Sequence, residues 1–159
     1  MTKSRVSHIL VLVDGTESSF HAADWAIDLA RSLGARLTAM AVVDSETLHE
    51  LLSVKILVDA ELGEFEKELQ ESAARHLAIV RQRALDHRIV IEEALVAGNV
   101  EDVVPKEIQA RAVDLVAMGA FESHRVSRDL LARQHQQVVD RASCPVLVVK
   151  REERDFVLP

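Results

Sequence analysis

Aromatic residues are almost missing from this 159-residue chain: they make up 3% of it, with one tryptophan and no tyrosine. A densely packed core must therefore be built from aliphatic side chains. These are plentiful, because hydrophobic residues of all kinds amount to 48% of the sequence. That share excludes an intrinsically disordered chain and suits helices packed closely on a buried sheet.

Basic residues are also in deficit, with 19 Lys and Arg against 26 Asp and Glu, which gives a formal charge of −7. Proteins that bind nucleic acid through its phosphates need a basic surface, and so do proteins that dock on anionic lipids. We therefore expect neither a nucleic acid nor a membrane as a partner.

Long hydrophobic runs and paired cysteines are absent from the sequence. No run approaches the roughly 18–20 apolar residues that cross a bilayer, and residues 1–8 lack the apolar stretch of a signal peptide. The single Cys144 has no partner for an internal disulfide. These features predict a cytoplasmic protein.

What the sequence does contain is a regular alternation of strand-like and helix-like segments. Short aliphatic runs typical of strands buried on both faces lie at 9–13, 37–43, 89–96, 114–119 and 146–149. Between them, apolar residues recur at helical spacing at 18–33, 61–87, 100–111 and 123–142. This alternation predicts a parallel sheet covered on both faces, in a single doubly wound α/β domain. The domain would span 1–159, with its core at about 8–150 and a charged tail at 151–159.

One stretch, Ser45–Ala60, follows neither period. It mixes leucine-rich and polar residues and holds more aliphatic side chains than a solvent-exposed loop needs. It either covers the core or contributes to packing against another protein chain.

In doubly wound sheets, ligands bind beyond the carboxyl ends of the strands, where the strand order reverses. Residues 14–18, 42–44, 97–100 and those from Gly119 onward follow predicted strands and are the candidates for a site. The Walker motif, the nucleophile elbow and the zinc-protease motif are absent from the sequence. The seven histidines are scattered without ligand spacing. We therefore expect neither a catalytic centre nor a metal site.

Several pieces of the sequence occur in a recognisable order: the first strand with Asp14-Gly15-Thr16, then Val42-Val43-Asp44, Gly98, Asp114–Gly119 and Ser143–Lys150. Together they resemble the universal stress protein family from about His8 to Lys150. The resemblance implies a flavodoxin-like, adenine-nucleotide alpha-hydrolase-like sheet of five strands in the order 3-2-1-4-5. It also implies a homodimer that pairs the fifth strands, Val146–Val149, and such pairing would protect an exposed sheet edge.

Members of that family that bind ATP carry a glycine after the fourth strand, a second glycine three positions on, and a third ten positions later followed by Ser or Thr. Here Gly119 matches the first glycine, but Glu122 and Ala132-Arg133 occupy the other places. Glycines let backbone N–H groups wrap phosphates, whereas Glu122 brings negative charge. Arg133 could bind an anion directly, or it belongs with neighbouring arginines to a solvated helix face.

The nucleoside half of the family's site is better matched. The resemblance implies that Asp14 lies near the ribose, that Val42 meets the adenine, and that Gly98 is the glycine after the third strand. Asp14 also suits a turn or a helix cap that needs no ligand.

Two hypotheses follow. The first is a non-enzymatic regulatory protein, a homodimer with a possible regulatory protein partner, a degenerate nucleotide pocket and no cofactor. The second is a protein that binds ATP or AMP with Mg²⁺, with weak ATPase or autophosphorylation activity. It would use Asp14, Val42, Gly98, Gly119 and Arg133. The loss of two glycines favours the first hypothesis.

Overall fold

The computed structural model describes residues 5–45, 53, 59–120 and 128–150. Its strands are β1 (His8–Leu12), β2 (Arg36–Val43), β3 (Glu92–Ala97), β4 (Leu115–Gly119) and β5 (Val146–Val149). Its helices are α1 (Glu17–Leu33), α2 (Asp59–Asp86), α3 (Val100–Ala110) and α4 (Arg128–Arg141). Most of Ser45–Ala60, the tail 151–159 and Glu122 lie outside the described residues, so what the sequence predicts for them stays a prediction.

The strands pair in parallel in the order β3-β2-β1-β4-β5. At the centre, Ile9 of β1 is level with Leu37 of β2 on one side and with Leu115 of β4 on the other. The predicted doubly wound, five-stranded α/β sheet and its order 3-2-1-4-5 are thereby confirmed. The direction of winding reverses between β1 and β4, and a crevice at that point is where such sheets place their ligands.

Successive residues of the central strand face two separate hydrophobic layers. Ile9 and Val11 pack in the layer that holds α1 and α2, and Leu10 packs in the layer that holds α3 and α4. All three side chains are fully buried, and each contributes about 1.5–3 kcal/mol to the stability of the fold. This burial on both faces explains why the first strand has an unbroken aliphatic sequence.

Helix α1 begins and ends as its sequence predicts. The Thr16 hydroxyl caps its start by accepting a hydrogen bond from the Ser19 backbone N–H at 3.2 Å. Gly34 ends it in a left-handed conformation with φ +64°. Between the caps, the face on the sheet is made largely of small buried side chains, among them Ala22, Ala23, Ala26 and Ala30. Small side chains let the helix axis lie close to the strands.

The third strand begins later than the sequence predicts. The expectation of a strand from Ile89 is wrong, because the first residue that pairs with β2 is Glu92. Arg88 takes a left-handed φ of +63°, and the Ile89 N–H donates to the Ala84 carbonyl oxygen at 2.9 Å. These residues therefore complete the end of α2 and are not available to the sheet.

The amino end of the sheet, opposite the crevice, is held by polar side chains. His8 is 2% exposed, and its Nδ1 and Nε2 lie 2.9 Å from the Arg111 carbonyl oxygen and 2.7 Å from Thr38 Oγ1. Asp114 accepts a hydrogen bond from the Ser7 backbone N–H at 2.8 Å, and this bond contributes most to holding the pKa of Asp114 below its ordinary value. The contacts tie β1 to its neighbours on both sides.

Candidate functional site

A cavity of about 450 Å³ opens at the carboxyl ends of β1 and β2. Its volume lies within the range of about 300–1,000 Å³ that is usual for small-molecule sites. Its lining is mostly apolar and consists of Leu12, Val13, Asp14, Met40, Ala41, Val42, Val43, Asp44, Leu69, Ser72, Ala73, His76, Val100, Gln134 and His135. The structure thus brings Asp14 and Val42 together in one cavity, as the resemblance implies.

The Asp14 side chain is positioned by the start of α1. Its Oδ1 accepts hydrogen bonds from the Thr16 backbone N–H at 2.9 Å and from the Thr16 hydroxyl at 2.6 Å. Both bonds to this carboxylate from the described residues go to Oδ1, so Oδ2 is left to accept from a ligand. Asp14 therefore stabilises the turn before α1, and the same hydrogen bonds fix the orientation of its side chain in the cavity wall.

Next to it, Gly15 is covered by the His76 ring of α2. Gly15 has a left-handed φ of +84°, and a Cβ added there would collide with His76 Cε1. The other side of the ring meets Phe20 edge-on, with the ring centroids 5.9 Å apart. His76 is thus packed between α1 and its preceding turn, and its position depends on a glycine at 15.

His135 of α4 is the second histidine in the cavity. Burial lowers its pKa, and the negative charge of the Asp14 carboxylate opposes that shift. The lowered pKa leaves the imidazole neutral at pH 7, since an unperturbed histidine titrates near pH 6.5. Asp14 therefore lies close enough to His135 for its negative charge to act on the imidazole.

Gly98 and Gly119 are not among the lining residues, and each has a structural requirement of its own. Gly98 has φ +137°, and its N–H donates to the Val43 carbonyl oxygen at 2.9 Å, which joins the ends of β3 and β2. A Cβ on Gly119 would lie 2.5 Å from the Ser18 carbonyl carbon and 2.6 Å from the Ser18 oxygen. Glycine at 119 therefore allows β4 and α1 to approach closely.

Arg133 lies in α4, just before Gln134 and His135 of the cavity wall. Its side chain is outside the described part of the chain, as is Glu122. None of the lining residues that the structure describes is a lysine or an arginine. Asp14 and Asp44 thus give this part of the lining a negative charge at neutral pH.

Sequence reasoning missed His76 and His135, which looked like scattered histidines. A signal for His76 was present, because it falls three residues after Ala73 on the apolar stripe of its helix. A polar residue on a buried stripe near the carboxyl ends of strands indicates a cavity or a buried contact. His135 had no such signal, since its place depends on how α4 crosses the sheet.

Within the described residues, no group of three or more His, Cys, Asp or Glu side chains is arranged to hold a metal ion. The helices of the same part of the chain include none with the length and apolar character needed to cross a membrane.

Comparison with known proteins places this geometry in a family. A model described as the universal stress protein family matches residues 5–150. A protein named as a universal stress protein in Staphylococcus epidermidis is 30% identical over 148 residues, which cover 92% of this chain and 85% of that protein. Universal stress protein UspA from Lactobacillus plantarum has a similar structure, with a TM-score of 0.77 and 24% identity over 92% of this chain and 99% of that one.

Two further similar structures are described with a ligand. One is a universal stress protein in complex with cAMP, with a TM-score of 0.62 and 22% identity over 92% of this chain and 98% of that one. The other is a universal stress protein family protein from Arabidopsis thaliana with AMP bound, with a TM-score of 0.64 and 17% identity over 95% of both chains. These structures share the fold, and the family model covers nearly the whole sequence. The chain belongs to the universal stress protein family.

Proposed function

We propose that this protein is a non-enzymatic regulatory member of its family whose cavity binds the nucleoside part of an adenine nucleotide and lacks a cradle for a triphosphate. The observation that carries the proposal is the placement of Asp14 and Val42 in one nucleoside-sized cavity, while Gly119 is fully engaged against α1. The proposal combines the non-enzymatic role of the first sequence hypothesis with the AMP binding of the second.

The nucleoside half of the cavity has suitable chemistry. Aliphatic side chains such as Met40 and Val42 offer an apolar surface for a flat base. The Oδ2 atom of Asp14, whose other oxygen is held by Thr16, can accept a hydrogen bond from a ribose hydroxyl. The similar structures described with cAMP and with AMP support an adenine nucleoside as the ligand class.

The described residues of the lining offer no cation to a triphosphate. Asp14 and Asp44 are both in the lining, and the lysines and arginines of the described chain are not. Phosphate sites need backbone N–H groups free to point at the anion, or cations. The one matching glycine, Gly119, has the Ser18 backbone where a side chain would be. Among the described residues, a chain of three phosphates would therefore meet more negative than positive charge.

Calorimetric titration with adenosine, AMP, ATP and Mg-ATP tests this proposal. Adenosine and AMP are expected to bind, and ATP to bind at least about tenfold more weakly, because each added phosphate charge faces the two carboxylates. In Asp14→Asn, adenosine affinity should fall about tenfold or more, since a hydrogen bond to a charged group contributes about 1.5–3 kcal/mol. Asp28→Asn, a change at an exposed position of α1, is the matched control and should bind like the wild type.

Tight ATP binding with weak adenosine binding would contradict the proposal. The absence of enzymatic activity is tested separately by ATP hydrolysis and by phosphate incorporation into the protein. Both should stay at the level of a buffer blank. Turnover that disappears in Asp14→Asn would instead favour the weak ATPase or autophosphorylation of the second hypothesis.

We also propose that the protein is a homodimer paired through β5. This strand contacts β4 on one side, and among the described residues its other edge pairs with no strand. Val148 in its middle is 42% exposed, and a short aliphatic edge of this kind is stabilised when a second strand covers it. Light scattering should give twice the chain mass for the wild type and one chain mass for Val148→Glu. A monomeric wild type would overturn the pairing.

Binding to a regulatory protein is part of the proposal as well. The dimer and its nucleoside-loaded form would present different surfaces to such a partner, since the ligand lies at the open ends of the strands. Purification of the tagged protein with and without added adenosine, followed by mass spectrometry, is the corresponding measurement.

A further inference from the structure

Four titratable side chains from four different parts of the chain lie in the cavity lining that the structure describes. Asp14 follows β1, Asp44 follows β2, His76 belongs to α2 and His135 belongs to α4. They are the titratable groups in the lining that the structure describes. An anionic ligand therefore meets two carboxylates and two imidazole rings.

The two histidines are not equivalent. His76 is fixed between Gly15 and Phe20 and covers the turn after β1. Burial of His135 lowers its pKa, and the negative charge of Asp14 acts in the opposite direction. A negative group placed near His135 would favour its protonated form, because the added charge acts in the same direction as Asp14.

We infer that His135 couples the binding of a negatively charged ligand to the uptake of a proton, so that the cavity accepts a nucleoside phosphate together with H⁺ and accepts a neutral nucleoside without it. The inference rests on the proposed nucleoside site. It adds that the affinity of this site for a ligand depends on the charge of the ligand and on the pH. The proton comes from solvent and adds to the unprotonated imidazole nitrogen as the anion enters, so the complex gains one positive charge with each anionic ligand that binds. His135 is thus a specificity-determining residue.

The sign of the pH dependence follows from this coupling. When the pKa of His135 is higher in the complex than in the free protein, affinity for the anion is greatest below the free-protein pKa. It is then lost as the pH rises through the pKa of the complex. Between those two pKa values the affinity changes by about tenfold per pH unit. Arginines cannot produce this slope, because their charge is constant across the range.

The experiment measures the Kd of adenosine and of cyclic AMP by calorimetry at pH 6, 7 and 8, each in two buffers with different heats of ionisation. Cyclic AMP is the probe because its single phosphodiester charge does not titrate in this range. Its affinity should rise at least about fivefold from pH 8 to pH 6, with uptake of close to one proton per ligand at the steepest point. Adenosine affinity should change less than about twofold over the same range.

Three variants test which histidine causes the pH dependence of the affinity for cyclic AMP. His135→Gln keeps a polar, uncharged side chain and should lose the pH dependence for cyclic AMP while it still binds adenosine. His76→Gln should keep the dependence, and so should His87→Gln, whose histidine lies exposed at the end of α2. Circular dichroism checks that each variant is folded.

The outcomes distinguish failure of the nucleoside site from failure of the proton coupling. If neither ligand binds the wild type, the nucleoside site itself is refuted and the inference falls with it. If adenosine binds but cyclic AMP does not, or binds with a pH-independent Kd, the nucleoside site stands and the proton coupling is refuted. A slope that survives in His135→Gln and disappears in His76→Gln overturns the assignment to His135.

Discussion

Replacing Gly119 with alanine should destabilise the fold before it affects any ligand. The new Cβ would lie 2.5 Å from the Ser18 carbonyl carbon, whereas non-bonded carbons pack at about 3.5–4.0 Å. Helix α1 and strand β4 would therefore have to separate by about 1 Å. No side-chain rotation can relieve the contact, because the Ser18 carbonyl group belongs to the backbone.

The size of the effect follows from the cost of overpacking a core, which is about 1–3 kcal/mol. A rigid backbone neighbour puts Gly119→Ala toward the upper end of that range. In a chain of this length, 1 kcal/mol shifts Tm by about 2–4 °C. The expected fall in Tm is therefore about 2–12 °C.

Urea unfolding and thermal unfolding, followed by circular dichroism at one fixed protein concentration, measure this loss. Gly63→Ala is the matched control, because Gly63 lies inside α2 with nothing within 4 Å of its added Cβ. Alanine there should stabilise the protein by about 0.5–1 kcal/mol, since glycine costs that much in a helix. The same chemical change thus has opposite signs at the two sites.

The reasoning would be refuted by a Gly119→Ala protein that unfolds at the wild-type urea concentration. Were such a protein also to lose affinity for adenosine or AMP, the glycine would serve a ligand and not the packing of α1 on β4.

Two further substitutions and one chemical modification test other features of the structure. Thr16→Ala removes the cap of α1 and should lower the free energy of unfolding by about 1 kcal/mol in urea titrations, with Thr16→Ser restoring most of it. Asp114→Asn should lower the free energy of unfolding by about 1–2 kcal/mol at pH 7, because it weakens the hydrogen bonds that the carboxylate accepts. Because the pKa of Asp114 is below its ordinary 3.8, the wild-type advantage is present above that pH and is lost as the pH falls through the folded value. Burial raises the pKa of the Cys144 thiol, so iodoacetamide at pH 7.5 should modify it at least about tenfold more slowly than it modifies glutathione, as mass spectrometry would show.

Each of these expectations has an outcome that contradicts it. Equal stability of Thr16→Ala and Thr16→Ser would mean that the hydroxyl does not cap the helix. A stability difference for Asp114→Asn that does not shrink as the pH falls below 3.8 would show that the charge of Asp114 is not the cause. Alkylation of Cys144 at the glutathione rate without urea would show that the thiol is accessible.

The sequence predicted the architecture well because each strand and helix end is determined largely by the residues of its own segment. The aliphatic run at Ile9–Val13 is typical of a strand covered on both faces, and Gly34 supplies the left-handed end that α1 needs. The start of the third strand was misjudged, because Ile89 has the composition of a strand residue but is held by the end of α2. Hydrophobicity alone does not distinguish these two environments.

The site was predicted only where its residues follow strands. Asp14 and Val42 lie at strand ends, so topology alone brings them together. His76 and His135 reach the cavity from helices, and their rotation about the helix axes depends on packing far along the chain. The sequence predicted that Gly119 lies at the end of the fourth strand. It did not predict that a glycine is required there by the close approach of Ser18, which is distant in the sequence.

The central position of β1 also has a consequence for how the chain acquires its fold. The His8 N–H and the Asp114 carboxylate that accepts its hydrogen bond are 106 residues apart in sequence. During synthesis β1, β2 and β3 are available long before β4, and a half-sheet made of these three strands would have β1 at its border. Closing contacts across such a distance is slow, and an open aliphatic border invites association with other chains. The strand at the centre of the native sheet would therefore be an exposed edge strand of the nascent chain until residues 115–119 are added.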